Sequence, residues 1–201
     1  MKVSIRNKIQ KFLVNKKLDQ TFSIFKKVGE EFIEQEDGYF AGNKERVPFY
    51  KKNVKKTGKT EFVKVLQIGL DTEYEQNGIN KNDIISYQLY MPAYNLGVIF
   101  YTNPKNYKRF ELETFFQLIN EVFNHANYYK EIDIISHFSV AEMNSFDNYK
   151  EFIKDHKFDR NIQMIQKSFA TITPINYKYT SASNHIKNAK ITLSYNKEFL
   201  K

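Results

Sequence analysis

The sequence predicts an α/β fold: a mixed sheet with a three-stranded meander and crossover helices, preceded by a helical and basic N-terminal appendage. Three observations carry this expectation. Glu61–Tyr74, Asp83–Met91 and Leu96–Tyr101 are runs of strand-forming residues bounded by turn signals. Residues 110–129 then change to helical spacing, with Phe110, Leu112, Phe115, Phe116, Leu118, Ile119, Val122 and Phe123 as the apolar positions. A short apolar run, Glu131–Phe138, follows that helix, as a strand reached by a crossover would. The chain has 201 residues with 41% hydrophobic and 16% aromatic side chains, enough for a substantial core.

Taken in order, residues 4–36 place Ile5, Ile9, Phe12, Leu13, Leu18, Phe22, Phe25, Val28, Phe32 and Ile33 at helical spacing. One or two amphipathic helices are predicted there, with Gly29 as a break and Asp37-Gly38 as a stop. From Tyr39 to Thr60 the periodicity is lost, and Gly42, Pro48 and Gly58 punctuate a connector. The expected boundary lies there, giving an appendage of residues 1–60 and a core domain of residues 61–201. Asn77-Gly78 reads as the turn after the first core strand, and Pro92 interrupts the second. Ala141–Ile153 is a second helix, and residues 168–180 and 186–195 read as two further strands.

Composition excludes several classes. There is no cysteine, so disulfides, thiolate zinc sites and a cysteine nucleophile are ruled out. No apolar run reaches the ~20 residues that span a bilayer, and the N-terminus lacks a secretory pattern. A cytoplasmic protein without a membrane partner is expected. The net charge of +8 is uneven: residues 1–60 hold 15 Lys and Arg against 7 Asp and Glu, whereas residues 61–201 hold 16 of each. Arg46, Lys51, Lys52, Lys55, Lys56 and Lys59 form the densest basic segment, which suits a phosphate backbone. A solvated basic loop is the plain alternative. Tyr39, Phe49 and Tyr50 are interleaved with these cations and are candidate base-stacking residues; Tyr87, Tyr90 and Tyr94 are further candidates.

The most informative triplet is Asp71-Thr72-Glu73, at the end of the first core strand. Side chains two apart on a strand share a face, so the two carboxylates point the same way. Paired acids at a buried strand end are costly unless a cation lies between them, and hard divalent cations prefer carboxylate oxygens. The next strand ends in Ser136-His137-Phe138-Ser139-Val140-Ala141-Glu142. If it runs parallel beside the first, Glu142 returns to the Asp71-Glu73 end and completes a three-carboxylate cradle. Two metal ions about 3.5–4 Å apart in such a cradle would polarise a phosphate and activate water.

Three meandering strands, a helix, a parallel strand and another helix follow the order of an RNase H-like domain. Asp71-Thr72-Glu73, with His137 five residues before Glu142, resembles the first two motifs of the DEDD 3′–5′ exonucleases. Leu70–Tyr74 followed by Ile84-Ile85-Ser86-Tyr87-Gln88-Leu89 is most similar to the proofreading region of plasmid- and phage-type family B DNA polymerases. The resemblance spans residues 62–155. It implies a magnesium- or manganese-dependent nuclease with two ions, acting on single-stranded DNA 3′ ends during DNA replication. Asp71, Glu73 and Glu142 would be its catalytic metal ligands. Phe138 stands where the family has Asn, and Glu142 where it has Asp.

The family's third motif, a Tyr or His four residues before an Asp, is not found: neither Asp155 nor Asp159 is so preceded, and Glu198 is the only later acid. Four explanations stand open. The chain is a fragment of a longer polymerase, or one part of a split protein completed by a second polypeptide or a downstream polymerase domain. Otherwise it is a decayed exonuclease kept as a nucleic-acid- or protein-binding module, or Asp155, Asp159 or Glu198 substitutes. A nuclease component of a defence system would share the site. His137 reads as a site-shaping or structural histidine, since His125, His137, His156 and His185 lack metal-ligand spacing. Glu142 has a plainer reading as an acid favoured at a helix start, and Asp71 with Glu73 as a solvated strand end.

Overall fold

The computed structural model describes residues 4–39, 49–54, 57–77, 82–124, 128–136, 139–155, 162–165, 176–180 and 190–195. The fold is α/β and built on a mixed sheet. Helix α1 (Ile5–Asn15) starts at Ser4, whose hydroxyl accepts the Asn7 amide at 3.1 Å. Its stripe of Ile5, Ile9, Phe12 and Leu13 is buried against the sheet. Strands β1 (Thr21–Val28) and β2 (Glu31–Gln35) follow as an antiparallel hairpin.

That hairpin corrects the helical expectation for residues 21–36. Among the described residues of the expected appendage, only α1 is helical. Gly29 is not a helix break but the first residue of a two-residue turn, with φ +64°, the position a II′ hairpin gives to glycine. β1 also pairs with β6 (Leu96–Tyr101), so the hairpin extends the main sheet. Ile24 and the α1 stripe share one contiguous core with the rest of the chain. The boundary expected near residue 60 therefore separates no second core. Asp37 ties this region together: its carboxylate accepts the Ser4 hydroxyl and the amides of Arg6 and Gly38, at 2.5, 2.8 and 2.7 Å. Burial works against its charge, yet these bonds hold its pKa below the usual carboxylate value.

Strand β3 (Phe49–Val54) pairs antiparallel with the first residues of β4 (Thr60–Gln76), a segment expected to be irregular. β4, β5 (Asn82–Met91) and β6 form the expected meander. A register shift between Glu73 and Tyr74 breaks the alternation of β4 just after the acidic triplet. Helix α2 (Leu112–Leu118) runs into a π-helical turn, Ile119–Phe123, that ends at Asn124. The Asn124 side chain donates to Tyr129 O at 3.0 Å and accepts the Tyr129 amide at 2.9 Å, turning the chain into β7 (Glu131–Ser136). β7 lies parallel to β4, as expected.

The predicted second helix is split into α3 (Ser139–Asn144) and α4 (Tyr149–Asp155). The turn between them meets the core through Tyr87, whose hydroxyl donates to Ser145 O at 2.8 Å and accepts the Phe110 amide at 3.3 Å. Strands β8 (Ile162–Ile165), β9 (Asn176–Thr180) and β10 (Lys190–Tyr195) complete the sheet; β10 is parallel to β7. The order is β2-β1-β6-β5-β4-β7-β10-β9-β8, with β3 off this path on β4. No described helix is long and apolar enough to cross a membrane.

β4 shows how the faces divide. Leu66, Ile68, Leu70 and Thr72 are buried, whereas Gln67 and Gly69 are half-buried and Asp71 and Glu73 exposed. Leu66, Ile68 and Leu70 pack in the core with α1 and α2, and Gln67, Gly69 and Asp71 line an open sheet face.

Candidate functional site

β7 ends opposite Leu70: the last pair of the parallel ladder is Leu70 with Ser136. β4 runs six residues farther, paired there with β5. Among the described residues its β7-side edge has no ladder partner beyond Leu70, and a strand edge with unmet N–H groups demands one. α3 supplies it. Glu142, buried on that helix, accepts hydrogen bonds from both the hydroxyl and the backbone N–H of Thr72. The residue between the two acids of the triplet is thus the one that holds Glu142 in place.

Asp71 lies beside this contact. Its carboxyl comes within hydrogen-bonding reach of the Glu142 carboxyl, an arrangement that favours the protonated form of Glu142. Burial pushes the Glu142 pKa up to about 7; the Asp71 charge and hydrogen bond push the same way, while the bonds from Thr72 oppose them. Glu73, on the same face as Asp71, is held elsewhere: Gln88 Nε2, from β5, approaches Glu73 Oε1 at 3.4 Å. Among the described residues no three acidic or imidazole side chains converge as a metal cradle. Asp71 and Glu142 are brought together, and Glu73 stands two residues along the strand.

The raised Glu142 pKa has a consequence for stability. The native state holds this proton above 4.5, the ordinary value for Glu, and releases it near pH 7. The unfolded chain has lost it by then, so the group's stabilising effect is present in acid and disappears as pH rises from about 5 toward 7. Thermal melts in EDTA at about pH 5.5 and pH 8 should show a larger drop for the wild type than for Glu142→Gln, which does not titrate. Equal drops for the two proteins would show that Glu142 does not titrate in this range.

No family model, curated protein or solved structure matches this chain.

Among the described residues, the basic segment is not beside the acids. Lys51 and Lys52 lie on β3, paired with Val63 and Phe62 at the start of β4. Eight residues of strand separate Val63 from Asp71, on the order of 26 Å at ~3.3 Å per residue. Lys59 is exposed at the turn preceding β4. Arg46, Lys55, Lys56 and His137 lie outside the described residues. Of the aromatic candidates, Tyr39 is exposed beside the start of α1, where Ser4 and Tyr39 form an isolated bridge. Phe49 and Tyr50 are on β3, opposite Val65 and Lys64. Tyr87 is wholly buried, and the Tyr94 hydroxyl donates to Phe123 O at 2.9 Å. Tyr90 alone of the three later tyrosines faces the open side of the sheet.

That open side holds a groove of about 690 Å³. Asp71, Gln88 and Ser136 are at its polar end, while Phe25, Phe32 and Tyr90 form an aromatic wall. Two of these aromatics belong to the β1–β2 hairpin. Sequence reasoning missed the groove because it placed the hairpin in a helix. The Gly29-Glu30 pair between two aromatic-rich runs was the available signal.

Proposed function

We propose that this chain is a metal-dependent 3′–5′ exonuclease-type domain of RNase H-like architecture, acting on single-stranded DNA ends. One observation carries the reading: Glu142, from the helix after β7, meets Asp71 at the carboxyl end of the parallel neighbour β4. Open α/β sheets gather ligands at the carboxyl ends of their strands. The central order β6-β5-β4-β7-β10, with β5 antiparallel and β7 and β10 parallel to β4, supports the RNase H-like reading.

The donor set fits magnesium or manganese, which prefer carboxylate oxygens. Asp71 and Glu142 would hold the ion, and Glu73 would join them by leaving its weak contact with Gln88. Once bound, the ion would polarise a scissile phosphate and lower the pKa of a water. The chain's own residues prepare this in two ways. Thr72 fixes Glu142 at the strand edge, and a bound cation would take the place of the proton that Glu142 holds. A further carboxylate and a water-orienting Tyr or His would come from outside the described residues. The basic strand β3 would hold the phosphate backbone upstream of the end.

A second reading is favoured by the separation of Glu73 from the other two acids: a catalytically silent module that binds nucleic acid. Metal dependence divides the two. A 5′-labelled single-stranded oligonucleotide should shorten from its 3′ end in magnesium and remain intact in EDTA. Salt-sensitive binding that is indifferent to EDTA, with no shortening in magnesium or manganese, would leave the silent module as the answer.

A further inference from the structure

We infer that the open-face groove is a binding site for the unpaired terminal base of a single strand. The ligand's identity rests on the nuclease reading, but the argument for a planar aromatic guest is the groove's own. Its volume of about 690 Å³ lies within the ~300–1,000 Å³ of small-molecule sites. Gly69 of β4 and Gly97 of β6 flank Tyr90 of β5 in one row across the sheet; Gly69 leaves open floor, and Gly97 makes room for the Phe32 ring to lie against the sheet. A Cβ at Gly97 would already touch the Phe32 ring at 3.4 Å.

The wall is aromatic and carries a cation. Phe32 and Tyr90 pack edge to face with centroids 5.3 Å apart. The Lys27 ammonium lies 5.9 Å from the Phe32 centroid and 5.5 Å from that of Tyr90. Phe32 is 49% exposed although it is a large aromatic on a sheet face. Every base has a π-face, so stacking on such a wall is tolerant of sequence. The amides of Gln67 and Gln88 line the same groove and offer both donors and acceptors to a base edge. Lys27 supplies the positive charge that a nearby phosphate needs. Because Asp71 closes one end, a base seated here presents its own sugar and phosphate to the carboxyl pair. These polar ends and the cation favour a nucleotide over an apolar peptide.

The test uses the full chain in EDTA, so that binding is read without cleavage. Two single-stranded oligonucleotides are compared, identical except that one has an abasic 3′-terminal residue. Stacking of one base is worth roughly 5- to 150-fold in affinity, and the wild type should prefer the intact end by a factor in that range. Phe32→Ala, on an exposed edge strand, should bind both strands alike, and Phe32→Trp should restore the preference. Equal binding of the two strands by the wild type, or a preference undiminished in a folded Phe32→Ala, overturns the inference, as does the absence of measurable binding. The two proposals fail separately. Base preference lost in Phe32→Ala, without cleavage in magnesium, keeps the groove and rejects the nuclease. Cleavage without base preference does the reverse.

Discussion

Asp71→Ala is expected to reduce magnesium-dependent release of 3′ nucleotides by on the order of a thousandfold, because a carboxylate that holds a catalytic cation supports several kcal/mol of charge stabilisation. The effect should fall on turnover rather than on folding. Asp71 is exposed, and its removal takes away the negative neighbour that helps to raise the Glu142 pKa. The variant should therefore melt no lower than the wild type at about pH 8 in EDTA. Glu73→Ala gives a graded comparison: its carboxylate sits against Gln88, away from the pair, so its loss measures how far the site reorganises when a cation binds. The readout is the initial rate on a 5′-labelled strand, with binding measured separately in EDTA. If Asp71→Ala retains activity within about threefold of the wild type, the carboxyl pair is not the catalytic centre.

The largest stability effect is expected at Phe115. This side chain is fully buried, with ring centroids 4.9 Å from Phe146, 6.1 Å from Phe110 and 6.4 Å from Tyr87. It joins α2, the α3–α4 turn and β5 in one aromatic cluster. Phe115→Ala removes the transfer energy of the ring and leaves a cavity that three rigid neighbours cannot close, costing about 3–5 kcal/mol. For a chain of this length that corresponds to a fall in Tm of roughly 10 °C. Denaturant unfolding followed by tyrosine fluorescence or circular dichroism measures it directly. A loss below about 1 kcal/mol would mean that the α2 face is not packed against β5 and the α3–α4 turn.

Part of this architecture was legible because its signals are local. The meander β4-β5-β6 follows from runs of strand formers bounded by turn residues, and β6 was placed at its observed ends. Alternation along β4 set Asp71 and Glu73 on one face and Thr72 on the other, as observed. The parallel return of β7 followed from the helical spacing upstream of it. Periodicity failed at residues 21–35, where Phe22, Ile24, Phe25, Val28, Phe32 and Ile33 satisfy helical and strand spacing about equally. Pairing with β6 decided between them, since a hairpin there extends an existing sheet and buries Ile24. Similarly, β3 holds no internal pattern and exists because β4 offers it a partner.

The sequence by itself determined the chemistry available: which acids share a face, which helix brings a third one back, and how unevenly the cations are spread. Those are consequences of strand alternation and chain order, which need no knowledge of distant contacts. Tertiary structure alone decided how these groups meet. Glu142 reaches Asp71 because α3 meets β4 just past the last described β7 pair, Leu70 with Ser136, where Thr72 bonds its carboxylate. Glu73 is drawn toward Gln88 because the ladder with β5 sets those residues diagonally across from each other. The groove exists because a hairpin from the N-terminal region lengthens the sheet. In each case the deciding event is the end or extension of a hydrogen-bonded ladder, a property of paired strands that no single segment carries.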